Sequence, residues 1–137
     1  MYFVGVDNAI GMRQLCTHLV TEHSVRKAVF IAGSKDNADS NLRLEVLKQV
    51  FSEKGFSFDD ENVFYSNWEN AKAISFINDY CKSGKRLPDA FVCANDGLAM
   101  VVCSELENNG YSIPKDVSII GSDNHRQLLS SEPNLTT

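Results

Sequence analysis

No stretch of this chain holds the roughly eighteen consecutive apolar residues that a membrane helix needs. No secretory signal pattern is present either. Basic residues are scarce. Thirteen Lys and Arg face eighteen Asp and Glu, for a net charge of -5. A phosphate-binding surface needs clustered cations, so no nucleic acid is expected on this segment. Only Lys82 to Arg86 form even a weak basic cluster, which reads as the decoration of an exposed helix end.

Metal and cofactor signatures are missing too. The four cysteines, Cys16, Cys81, Cys93 and Cys103, form no C-x-x-C pair, and no His stands at zinc-ligand spacing from them. They read as small core hydrophobes of a reducing compartment, which predicts a cytoplasmic location. Neither glycine-rich phosphate loop occurs, so no nucleotide cofactor is expected. Ser122, Asp123 and His125 are triad residue types, but they are neighbours in one loop and no G-x-S-x-G elbow exists. Asp36, Asn37, Asp39 and Asn41 resemble a calcium loop only faintly. Its obligatory sixth-position Gly is Asn41 and its twelfth-position Glu is Leu47. No catalytic residue, metal or cofactor is therefore expected, and the chain does not read as an enzyme.

What is present is an alternation of strands and helices. Residues 3–6, 27–32, 62–66, 89–94 and 117–121 read as strands, and 9–23, 39–54, 69–83 and 95–109 as helices. Asp7 or Asn8 stands where the first helix wants its N-cap, and Ile10, Leu15, Leu19 and Val20 offer it a buried face. Leu44, Leu47, Val50 and Phe51 do the same in the second. Gly55, Gly84 and Gly110 each follow a helix, where a left-handed cap favours glycine. The strands are apolar without alternation. That predicts an α/β fold, a doubly wound parallel sheet covered by helices on both faces. The 137 residues suit one domain.

Polar residues gather where these strands end. Gly33 to Asn41, Asn67-Trp68, Asn95-Asp96 and Ser122-Asp123-Asn124 all follow strands, so they converge on the carboxyl edge of the sheet. Open α/β sheets bind ligands at that edge. Arg43, near the start of its helix, faces the same edge. Asp and Asn supply acceptors and donors for hydroxyls, Arg a charged fork, and Trp68 an apolar plate. Each of Asn95, Asp96 and Asp123 could by itself be a helix cap or turn residue. Four strand ends together, with the sole Trp among them, favour a pocket for a small polar ligand.

The chain resembles the effector-binding part of the LacI/GalR transcriptional regulators, which share the type I periplasmic-binding-protein fold. The resemblance runs from Val6-Asp7-Asn8 with Gly11, through Arg26 to Gly33, Arg43 and Pro88 to Ala99, to Gly110 to Asn124 and Pro133 to Thr137. It implies one lobe, the second, of a two-lobed domain spanning 1–137, with 1–7 as a crossover strand from the first lobe. It implies ligand contacts from Arg43, Trp68, Asn95 and Asp123, with Asp7, Asn8, Asp96 and Asn124 as hinge or secondary residues. The expected ligand is a sugar or similar polar effector, often a sugar or nucleobase in the family. The expected assembly is a homodimer, whose DNA contact would lie in a separate headpiece. Three departures blur the ligand class: Val46 and Leu47 replace a usual Gly-Phe, Ser122 replaces an aromatic, and His23-Ser24 replaces a Gly-His turn. They admit a relative, a sensor fused to a diguanylate cyclase or kinase, and a sugar-binding protein of a transporter would share the same pocket chemistry.

Overall fold

The computed structural model describes residues 9–113 and 115–121. Its element order is α1 (Ala9–Glu22), β1 (Ala28–Ala32), α2 (Ala38–Glu53), β2 (Val63–Tyr65), α3 (Asn70–Lys82), β3 (Ala90–Cys93), α4 (Asp96–Asn108) and β4 (Ser118–Ile120). The expected strand at 3–6 and the tail after 121 lie outside the described residues.

The four strands form one parallel sheet in the order β2-β1-β3-β4. The two central strands, Ala28-Val29-Phe30-Ile31-Ala32 and Ala90-Phe91-Val92-Cys93, are buried at every position. That explains their unbroken apolar run, since a strand covered on both faces has no wet side. The chain moves outward from β1 to β2, then crosses back over β1 to β3. Right-handed crossovers put α2 on one face and α3 and α4 on the other. The packing agrees: α1 lies against α2, and α3 against α4.

Phe30, Phe51, Phe91, Leu15, Leu19, Leu47, Ile77 and Leu106 are fully buried between these layers. Each such side chain contributes about 1.5–3 kcal/mol relative to exposure. Leu44, Leu47, Val50 and Phe51 all face inward from α2, as their spacing predicts.

Helix ends follow local chemistry. Asn37 caps α2, its side chain accepting from the Ser40 N–H at 2.8 Å. After α2, Gly55 sits at φ +80, its N–H bonds to Ser52 O, and the Phe56 N–H reaches back to Phe51 O at 2.9 Å. Those two bonds are a Schellman motif, closed by an edge-on contact of the Phe51 and Phe56 rings. The same pair of bonds ends α4 at Gly110, where φ is +91.

One strand starts late. Asn62 belongs to a turn of 3-10 helix, Asp60–Asn62, and not to β2. Asp59 Oδ1 accepts the Glu61 N–H and Asn62 Oδ1 accepts the Asp59 N–H. These local bonds compete with the sheet ladder and win over three polar residues.

Candidate functional site

Adjacent strands β1 and β3 send their following segments in opposite directions, to α2 and to α4. The gap between them is the topological switch point, where a parallel sheet opens a crevice at its carboxyl edge. Arg43 spans this gap. Its side chain is only 7% exposed, and Nη1 donates to the Ala94 carbonyl at 2.8 Å. A guanidinium cannot shed its charge. Burial therefore places a permanent cation, held by α2, at the end of β3.

Asn95 stands beside it as the N-cap of α4. Its Oδ1 accepts the Leu98 N–H at 2.8 Å. This fixes the amide's orientation: the oxygen faces the helix, and Nδ2 is the end that can address a ligand. The cap is thus Asn95 and not Asp96. Asp96 opens α4 and is fully buried. A Cβ placed on Gly121 would meet Asp96 Oδ1 at 2.0 Å, so this carboxylate is seated against the backbone at the end of β4. Gly121 has no positive φ; it is a glycine because the space is taken.

Trp68 is built in a similar way. It is 38% exposed, yet a Cβ on Gly33 would lie 2.0 Å from its Cζ2. The indole therefore lies directly on the chain leaving β1, with much of its surface open. Its backbone is unusual. Asn67 and Trp68 both have positive φ, +53 and +62, and the Glu69 N–H bonds to Ser66 O at 3.0 Å. A bulky residue in this left-handed region is strained. Ser66 offsets the strain: buried, it donates Oγ to Ala32 O at 2.8 Å and accepts the Trp68 N–H at 3.2 Å. Ser40 does comparable work on Gly33, accepting its N–H at 3.1 Å.

Arg43, Trp68 and Asn95 thus stand on the carboxyl edge, around the ends of β1, β2 and β3. Asp123, Asp7, Asn8 and Asn124 lie outside the described residues. Ser40, Ser66 and the packing roles of Gly33 and Gly121 had no distinct signal; a small residue at each strand end was the available hint. The 33–41 loop is largely a helix start. Asn37 caps α2, and Asn41 Nδ2 donates to Lys35 O. Behind the site, burial pushes the Cys93 thiol up, with the negative charge of Asp96 and then Cys103 adding to it. Such a thiol is inert as a nucleophile. Among the described residues, no group of three or more His, Cys, Asp or Glu could hold a metal ion. No helix among them is long and apolar enough to cross a membrane.

A doubly wound parallel sheet with a cation, an amide and an indole on its carboxyl edge defines an open-sheet α/β domain with a candidate ligand site. The chain belongs to the periplasmic binding protein-like domain family, whose pattern matches residues 17–137. It is 29% identical over 132 residues to the HTH-type transcriptional repressor PurR of Vibrio atlanticus, covering 96% of this chain and 39% of that one. The chain thus spans about two fifths of the length of such relatives. Its fold is shared with a sugar-binding LacI-family regulator from Escherichia coli complexed with phosphate, with TM-score 0.81 and 23% identity over 96% of this chain and 47% of that one. It is also shared with the transcriptional regulator CelR in complex with cellobiose, with TM-score 0.80 and 24% identity over 98% of this chain and 41% of that one.

Proposed function

We propose that residues 1–137 form one lobe of the effector-sensing domain of a LacI-type transcriptional regulator, with 1–7 as the crossover from its other lobe. A small polar effector sits on the carboxyl edge and bridges the two lobes. Its differential affinity for the closed arrangement alters DNA binding by a headpiece elsewhere in the protein. The domain is a non-catalytic, cytoplasmic homodimer in this reading.

The observation that carries it is the Arg43 guanidinium, buried and pinned to Ala94 O at the switch point. That bond holds a rigid, charged fork at the end of β3, where an oxygen-bearing ligand would meet it. Beside it, Asn95 presents an amide donor and Trp68 an open ring. The described part of the site is thus rich in donors, which suits an effector bearing several oxygen acceptors on a flat or ring-shaped body. Asp123 would add the acceptor. A sugar fits this chemistry, and so does an oxygen-bearing nucleobase. Cellobiose and phosphate in the neighbouring regulators' structures are compatible with the same donors.

The test is calorimetry on the full-length protein against a panel of mono- and disaccharides and purine bases. One of them should bind, and Arg43→Ala and Asp123→Ala should each weaken it at least tenfold. Full affinity in both variants would rule this site out. A signalling sensor or a transporter's binding protein would use the same pocket; DNA release on ligand addition, in a gel-shift assay, separates the regulator from both.

A further inference from the structure

We propose that the amino-terminal edge of the sheet, opposite the strand-end site, binds a small organic phosphate carrying two or more charges. Two dibasic pairs meet there. Arg26-Lys27 lead directly into β1 and Lys85-Arg86 stand just before β3. They are far apart in sequence, but β1 and β3 are hydrogen-bonded neighbours, with Ala28 opposite Ala90. The strand starts are locked together as well: the Asp89 N–H donates to Lys27 O at 2.9 Å. The four cations line one cavity of about 600 Å³, with Phe56 and Tyr80 in its wall.

Such a concentration is unexpected in a chain of net charge -5. Among the described residues, no carboxylate side chain forms an ion pair with any of the four. Backbone carbonyls and aromatic rings hold two of them without neutralising charge, and Arg26 Nη1 donates to Val20 O at 3.1 Å and Val25 O at 3.2 Å. Arg26 Cζ lies 4.6 Å from the Phe56 ring centre, and Lys85 Nζ lies 5.7 Å from that of Tyr80. Asp89 and Asp116 line a neighbouring hollow with Lys85 and Arg86, and both carboxylates accept backbone N–H groups, Asp116 Oδ2 that of Ser112 at 2.7 Å. Asp89 Oδ2 accepts the backbone N–H groups of Arg26 and Lys27. Asp59 caps its own turn, and Asp60 pairs with Lys48.

Converging cations with low-dielectric walls focus their field on an anion. Arg and Lys are the side chains that phosphate oxygens favour. The volume falls within the roughly 300–1,000 Å³ of small-molecule sites. Two aromatic residues in the wall suit a ligand with a flat apolar part. A hollow of that volume, ringed by four cations and two aromatic residues, suits one small molecule better than an extended acidic peptide.

ADP and inorganic pyrophosphate are the probes, titrated calorimetrically into the full-length protein at low and moderate salt. Both should bind, ADP more tightly, and both should weaken as salt rises. The exposed double variant Lys27→Gln/Lys85→Gln should keep its far-ultraviolet circular dichroism and lose at least tenfold in affinity for each. Unchanged affinity in that folded variant would overturn the proposal, as would the absence of binding by both probes at millimolar concentration. Tight binding of a poly-glutamate peptide that ADP fails to displace would overturn it in favour of an acidic protein partner.

Discussion

Two residues at the carboxyl edge of the sheet, Trp68 and Asp96, depend on glycines that make room for them. A methyl group at position 33 would overlap the indole of Trp68. Gly33→Ala should therefore swing the ring off β1, shift its fluorescence and weaken effector binding. The overpacking should cost about 1–3 kcal/mol in denaturant unfolding. An unchanged emission spectrum would refute this account of Trp68. Position 43 was legible from sequence, because an Arg early in a core-facing helix is conspicuous. Asn95 was only half legible. Its residue type suits both a cap and a ligand contact; the structure shows the cap, which uses Oδ1 and leaves the Nδ2 end of the amide for the proposed contact. The seat of Asp96 against Gly121 was not legible, because it joins residues of two different strand ends and leaves no local pattern. The thiols add a pH dependence. Burial pushes Cys16 from 9.0 up to about 12, against a smaller opposing pull from Arg13. A raised pKa means that the folded state holds the proton where the unfolded chain releases it. Stability is therefore full below pH 9 and falls as pH climbs from about 9 towards 12, by up to about 1.4 kcal/mol per pH unit for this thiol. Urea melts of wild type and Cys16→Ala across that range should diverge in slope, and parallel slopes would contradict it.

Helix termini were the best-read elements. Glycine after an apolar-periodic run predicted left-handed caps at 55, 84 and 110, and all three have positive φ. These are purely local choices, so sequence carries them. Gly55→Ala should cost about 1–2 kcal/mol, because any Cβ resists φ of +80 and the Phe56 to Phe51 bond depends on that turn. A melting temperature equal to wild type would count against the motif. The start of β2 was misplaced for a related reason. Its flanking Asp59 to Asn62 close a capped turn of their own, and a single hydrophobicity profile does not distinguish that from the ragged start of a strand. The edge strand that remains is short and half-buried, its Phe64 stacked on Phe76 with ring centres 4.2 Å apart.

The parallel sheet was foreseeable at the scale of the molecule, because β1 and β3 are apolar throughout and each is followed by a helix. The strand order was not, and that order brings Arg26-Lys27 beside Lys85-Arg86. The proposed homodimer also belongs to this scale. Ile74 on α3 is exposed, and Met100 and Val101 on α4 are only partly covered; together they line a groove where the two helices meet. A second copy of the same face would bury these apolar side chains in a self-complementary contact. Glu105 and Asn108 lie along the same groove and would provide its polar border. Met100→Glu would set like charges against each other across such a contact, while leaving the core residues of α4 untouched. Light scattering of the full-length protein should show a dimer for wild type and a species of half that mass for Met100→Glu, with circular dichroism unchanged. A variant that remains dimeric at low micromolar concentration would place the interface on another face.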